Sequence, residues 1–293
     1  MSISPSELIL NEDGSMYHLN LCPGDIAETI ITVGDPERVM QVSQYFDTIT
    51  LKKGKREFLT HTGTLNGKRL TVLSTGIGTD NIDIVFNELD ALVNVDFQTG
   101  LPRENRIRLK FIRMGTSGAL QPDIALDSFI LTEYAFGFDG LLHHYENHGA
   151  SLQEWTDSFT QQLAWDTRKA TPYCVSYSAS LGDLFRSNRI RLGVTATKTG
   201  FYGPQGRRLR LTPNPPDLLE QLRRFHHAGR RMDNLEMETS GIYAMAKLLG
   251  HDAISLSCIL ANRATGTFSE NPVQAVDELI KFTLFTLAPN RPL

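Results

Sequence analysis

Residues 111–118, FIRMGTSG, bring one arginine, two hydroxyls and two glycines together in a short stretch. The run 109–114 is apolar apart from Lys110 and Arg113, a pattern that fits a buried strand better than a helix. Gly115 and Gly118 then predict a turn, with Thr116 and Ser117 offering hydroxyls beside freed backbone N–H groups. Such a turn suits an anion, and Arg113 could add a planar, permanently charged fork. The same letters also describe an ordinary tight turn and a strand arginine paired with a carboxylate. On this fragment alone both readings stand.

Two other stretches carry chemistry of the same kind. In 28–39, ETIITVGDPERV, a β-branched strand meets Gly34, a capping Asp35 and Pro36 at the first helical position. Arg38 falls in the first helical turn, where the dipole prefers anions. Either an external anion or an ion pair with Glu37, Asp47 or another carboxylate resolves that conflict. In 198–216, KTGFYGPQGRRLRLTPNPP, Phe201 and Tyr202 precede Gln205 and Arg207. Aromatic faces beside an amide and a guanidinium could stack on and hydrogen-bond a flat heterocycle, although a basic surface loop has the same composition. His18 stands alone in MYHLNL and, by itself, reads as structural or exposed.

The elements that must position these residues alternate along the chain. Residues 52–76 read as antiparallel strands with Asn66-Gly67 as the hairpin signal, and the lysines mark a solvated edge. Apolar positions 82, 85, 86, 89, 92 and 93 share a helical face, so 70–114 is expected to be a parallel β-α-β unit. Further strands are expected at 127–136, 172–177, 190–197 and 253–260, and helices at 152–167, 234–249 and 273–287. Glu236 and Glu238 then fall at the start of the 234–249 helix. His143, His144 and His148 read as a surface loop rather than a metal set. Residues 1–16 read as a loosely held arm and 17–293 as one α/β domain.

Composition narrows the function classes. At 41% hydrophobic and 21% charged, the 293 residues are those of an ordinary globular protein, and the net charge of −4 gives no bulk field for nucleic acid or anionic membrane. Any anion site must be local. Three separated cysteines suggest reduced thiols, and neither a leader pattern nor an apolar run of membrane length is present, so a cytoplasmic location is expected.

Taken together, the motifs resemble those of the nucleoside phosphorylase family of hexameric and dimeric type, and within it the uridine phosphorylases. The matching blocks are VGDPERV at 33–39, KREF at 55–58, STGIG at 74–78, IRMGTSGA at 112–119, Phe201-Tyr202 with Gln205 and Arg207, EME at 236–238, and Asn262-Arg263. They occur in the family's order. The resemblance implies a single α/β domain with a central mixed sheet flanked by helices in three layers. It also implies reversible phosphorolysis of uridine to uracil and ribose 1-phosphate, with inorganic phosphate as co-substrate and no organic cofactor.

By resemblance, Gly34, Arg38, Arg113 and Thr116 form the phosphate cradle, and Arg56 reaches the phosphate of a neighbouring subunit. Met237 and Glu238 hold the ribose, with His18 reaching its 5′ hydroxyl across the interface. Ser117, Gly118, Phe201, Gln205, Arg207 and Arg263 face the base, and Arg113, Thr116, Gln205 and Arg207 carry the catalysis. A homodimer is then the minimum active unit, with a hexamer of three dimers as the larger assembly. Some relatives build a monovalent cation site from positions matching Glu57, Ile77 and Asn81; here Asn81 replaces a serine. The Gly203-Pro204 order is also reversed from bacterial relatives. Asn262, where purine-specific relatives carry an acid–base aspartate, points to a pyrimidine. The alternatives are phosphorolysis of deoxyuridine, thymidine or a purine nucleoside, and a non-catalytic nucleoside-binding module.

Overall fold

A β-branched run without alternation belongs in a sheet covered on both faces, and β1 (Thr29–Val33) is buried at all five positions. The computed structural model, which describes residues 3–289, sets it between two parallel neighbours. Asp35 caps α1 (Pro36–Ser43) by accepting the Glu37 N–H at 2.9 Å. An antiparallel meander follows: β2 (Thr48–Lys55), β3 (Phe58–Leu65) and β4 (Lys68–Ser74). Asn66 and Gly67, both at positive φ, make the expected hairpin turn. The lysine-bearing β2 is the sheet edge. After α2 (Thr79–Asn94) and the small hairpin of β5 (Val95–Asp96) and β6 (Leu101–Pro102), β7 (Lys110–Ala119) enters beside β1. The expected parallel β-α-β unit is therefore present, with β1 between its two strands.

The chain continues through β8 (Phe129–Gly137), α3 (Gln153–Leu163), β9 (Tyr173–Ser176), α4 (Ala179–Asp183) and β10 (Ile190–Thr197). It ends with α5 (Leu218–Arg224), β11 (His226–His227), β12 (Arg230–Glu236), α6 (Thr239–Leu249), β13 (Asp252–Asn262), β14 (Thr267–Phe268) and α7 (Pro272–Leu287). One twelve-stranded mixed sheet runs β11-β12-β10-β8-β13-β7-β1-β4-β3-β2, with β9 paired to β8 and β14 to β13 off this path. In addition, β12 pairs back to β7, with Leu235 opposite Gly118, so that β7, β13, β8, β10 and β12 close on themselves.

Strand alternation divides the core into two layers. Ile30 and Phe111 face α2 and α6, packing with Phe86, Leu89 and Ile242. Their neighbours Ile31 and Ile112 face α1 and α7, packing with Val39, Val42 and Leu279. Each such fully buried side chain contributes about 1.5–3 kcal/mol, which makes the central strands a rigid base for whatever their ends carry. The result is a single α/β domain with a mixed sheet flanked by helices.

Three expectations change. Residues 115–118 are not a turn but the continuation of β7. The helix expected at 234–249 begins only at Thr239, because 230–236 is strand β12. Residues 3–16 are packed rather than loosely held: Ser15 and Met16 are buried, and Asn11 accepts a hydrogen bond from Lys55 Nζ. Cys174 and Cys258 are buried and Cys22 half-buried, all as free thiols. Among the described residues, no helix is long and apolar enough to cross a membrane.

Candidate active site

The glycine at 115 has a steric reason. Residues two apart on a strand share a face, and Arg113 folds back over Gly115, where a Cβ would lie 1.9 Å from Arg113 Nη1. The guanidinium is thereby held flat against the sheet. Its Nη2 donates to Glu238 Oε2 at 2.7 Å and lies 2.9 Å from Glu236 Oε2, while Nη1 sits 3.4 Å from the Ser255 and Ser257 hydroxyls. Burial opposes the charge of Arg113, but Glu236 and Glu238 outweigh it and raise its pKa.

Both carboxylates are fixed from several sides. Glu236, the last residue of β12, accepts from the Thr197 hydroxyl at 2.7 Å and from the Glu238 and Thr239 N–H groups at the start of α6. This anion is set against the positive helix end. Glu238 accepts the Gly78 N–H at 2.8 Å. Burial raises its pKa against the pull of Arg113, with Glu236 adding to the rise.

Gly34, Arg38 and Thr116 line the same cavity as Arg113. Arg38 forms no salt bridge among the described residues, and its Nε is buried without a hydrogen-bond partner. Burial, against the pull of Asp35 and with Arg113 nearby, lowers its pKa. The ion pair is thus not made, and Arg38 lines the cavity without a salt-bridge partner among the described residues.

Across the cavity, a 3₁₀ turn at Gly203–Gln205 carries the flat-ligand residues. Arg207 Nη1 donates to the Phe201 carbonyl at 2.7 Å and to Gln205 Oε1, and its guanidinium stacks 3.6 Å over the Phe201 ring. Burial, with Arg263 adding, lowers the Arg207 pKa to about 10. Ser117, Gly118 and Met237 also line this cavity of about 710 Å³, which opens at the carboxyl ends of β1 and β7.

The phosphorylase superfamily model matches residues 28–284. The chain belongs to the phosphorylase superfamily. It is 34% identical to the uridine phosphorylase of Treponema pallidum, over 93% of this chain and 96% of that protein. It is 30% identical to the uridine phosphorylase of Thermococcus kodakarensis, over 88% and 82%. Among solved structures it is similar to a Trypanosoma brucei nucleoside phosphorylase described as showing uridine phosphorylase activity, with a TM-score of 0.85 and 28% identity over 96% and 99% of the two chains.

Three expected site residues do not line this superfamily cavity. Arg263 lies behind it, donating from Nη1 to the Gln205 carbonyl at 3.2 Å and packing against Gly118. His18 and Arg56 both lie near Tyr17: the His18 ring is 4.8 Å from the Tyr17 ring and Arg56 is 5.8 Å from it. His18 Nδ1 pairs with Glu88 at 2.6 Å, which orients the ring. Asn262 is also outside the cavity, its side chain holding the Gln121 and Ile124 carbonyls.

Glu57, Ile77 and Asn81 do meet, around Gly76 on the cavity wall. Glu236 is the residue that sequence reasoning passed over. Its spacing two residues before Glu238 was visible, but as a helix start it carried no role. At the end of a strand it becomes the second anchor of Arg113.

Proposed function

We propose that the protein catalyses the reversible phosphorolysis of uridine, giving uracil and ribose 1-phosphate, and so acts as a pentosyltransferase. One observation carries the reading: Arg38, without a salt bridge among the described residues and with its Nε buried and unpartnered, shares a cavity with the Arg113–Glu238 pair and with the Gln205–Arg207 pair. Anion, polyol and flat amide-bearing ring each have a matching wall.

Phosphate binds to Arg38 and Thr116 beside Gly34, with Arg113 at its edge. Glu238 accepts hydrogen bonds from the 2′ and 3′ hydroxyls, and Met237 packs against the sugar. As the N-glycosidic bond breaks, its electron pair leaves with the base and positive charge grows at C1′. Phosphate oxygen then forms the new bond to C1′. Gln205 and Arg207 stabilise the departing uracil anion by hydrogen bonds that strengthen as charge develops, which is transition-state stabilisation rather than uniform binding. The proton that hydrogen phosphate gives up on forming the ester passes through solvent to the uracil anion on release. Phe201, with Ser117 and Gly118 opposite, keeps the ring in plane. Neither a protein nucleophile nor an organic cofactor is needed, and the arginines supply orientation and electrostatics.

The site is completed by a second copy of the chain. Arg56 and His18 both lie near Tyr17 and do not line their own chain's cavity, which supports their reaching a partner's phosphate and 5′ hydroxyl. A homodimer is then the minimum active unit, and a hexamer of three dimers the larger form. Glu57, Asn81 and the Ile77 backbone offer oxygens for a monovalent cation near that interface. A cytoplasmic enzyme of nucleoside salvage is the matching setting. The test is base release from uridine, thymidine and inosine in parallel, followed by ultraviolet absorbance. Preference for uridine supports the reading. Faster turnover of inosine contradicts the assignment of Gln205 and Arg207.

A further inference from the structure

A second cavity, of about 480 Å³, lies behind the loop that carries Gln205 and shares no lining residue with the first. Its distinguishing group is Lys198, which immediately follows β10 and is only 4% exposed. The Lys198 N–H is held by the Glu236 carbonyl at 2.8 Å, so the residue is anchored at the edge of the active site while its side chain lines the other cavity. Nζ lies 3.5 Å above the Phe138 ring and 5.6 Å from the Trp165 ring. Among the described residues it has neither a salt bridge nor a hydrogen bond. A buried ammonium without an anion is costly, and cation–π contact offsets only part of that cost. Burial, with Lys169 adding, lowers the Lys198 pKa to about 7.

The walls specify the missing partner. Lys169 Nζ stands 5.5 Å from the centre of the Trp165 ring and donates to the Asn214 carbonyl, so a second ammonium lies near the same indole. Asp139, the acid on this wall, is committed elsewhere, accepting from Leu141 N–H and from the Tyr173 and Ser240 hydroxyls. The remaining surface is largely apolar, with Phe138, Pro204 and Leu218. One buried cation in an aromatic-walled pocket matches a single negative charge on a flat ring. A dianion such as phosphate would need more donors than are present.

We propose that this cavity is a binding site for a planar aromatic monocarboxylate, with Lys198 as its anchor and Phe138, Trp165, Pro204 and Leu218 as its apolar walls. Because Gly203 and Pro204 form part of its wall and precede Gln205, an occupant presses on the turn that recognises the base.

Benzoate is the probe, titrated into the full-length protein and followed by calorimetry and by tryptophan fluorescence, with inorganic phosphate as the control anion. Benzoate binds with Kd on the order of 0.1–1 mM, the range for so small a ligand, and quenches fluorescence; phosphate does not compete. Lys198→Met keeps a chain of similar length suited to burial, and weakens benzoate binding about tenfold or more while base release without benzoate is unchanged. Ala170→Trp, at an exposed position on the rim, fills the cavity and abolishes binding without touching the core. Absence of benzoate binding, or binding by either variant as tight as that of the unaltered protein, overturns the site. Benzoate that binds without changing KM for nucleoside overturns the coupling to the Gln205 turn.

Discussion

Arg113 Nη2 lies 2.7 Å from Glu238 Oε2, so the guanidinium that borders the proposed phosphate seat also holds the carboxylate proposed to grip the sugar. The two halves of the site are therefore one unit. Arg113→Ala is expected to lower kcat/KM by about 10³-fold or more, as loss of a group that both positions and stabilises does. It also strands two buried carboxylates, and breaking such a pair costs about 3–5 kcal/mol, so the melting temperature falls as well. Arg113→Lys keeps the charge without the fork and is expected to recover stability more than activity. Steady-state kinetics with thermal unfolding checks both, and near-normal turnover in either variant removes Arg113 from the centre of the mechanism.

Glu236→Gln leaves shape and volume in place and removes one charge from the Arg113 clamp. A lost charge-assisted hydrogen bond of about 1.5–3 kcal/mol corresponds to roughly a 10–150-fold fall in kcat/KM for nucleoside. Kinetics at saturating phosphate measures it. An unchanged value would show that Glu236 serves only the start of α6.

Burial of Glu238 sets the acid side of the pH profile. Burial raises the Glu238 pKa, so the folded protein holds that proton more tightly than the unfolded chain. Its contribution to stability declines as pH rises from the ordinary glutamate value to the folded one. The ionised form is the one that accepts sugar hydroxyls, so the acid limb of kcat/KM lies above the ordinary glutamate range. Burial lowers the Arg207 pKa to about 10, and the guanidinium keeps its charge across the neutral range, so its stabilisation of the departing base is present throughout. Arg207→Gln is expected to lose most of kcat while the acid limb stays in place; an unchanged kcat would remove Arg207 from the base contacts.

Arg56 and Arg38 are proposed to act in the same site from different subunits. Arg38→Ala and Arg56→Ala should each be nearly inactive alone. Mixed under subunit exchange, half of the dimers are hybrids, each with one site complete, so about a quarter of wild-type activity returns. Zero recovery with demonstrated exchange would place both arginines in one chain's site.

Much of this was legible in the residues. The strand at 190–197, the Asn66-Gly67 hairpin and the α1 cap carried local signals strong enough to survive folding. The seven blocks also named the cavity's main residues in order. Misreadings arose where tertiary structure overrode local chemistry. Gly115 reads as a turn residue because glycine bends chains, yet here it makes room for Arg113 within a continuous strand. Residues 234–236 read as the start of a helix, where Glu236 and Glu238 suit its positive end, yet they close strand β12. Their polar groups are instead satisfied by closure of the sheet, as where Asn234 Nδ2 donates to the Ser117 hydroxyl. No periodicity announces such closure. Nor could spacing show that His18 and Arg56 do not line their own chain's cavity.

The most direct test of the central claim follows uridine incubated with and without inorganic phosphate by phosphorus NMR and ultraviolet absorbance together. The account predicts that uracil forms only with phosphate and that ribose 1-phosphate appears in equal amount. Uracil release that is independent of phosphate, with free ribose as the other product, would contradict it.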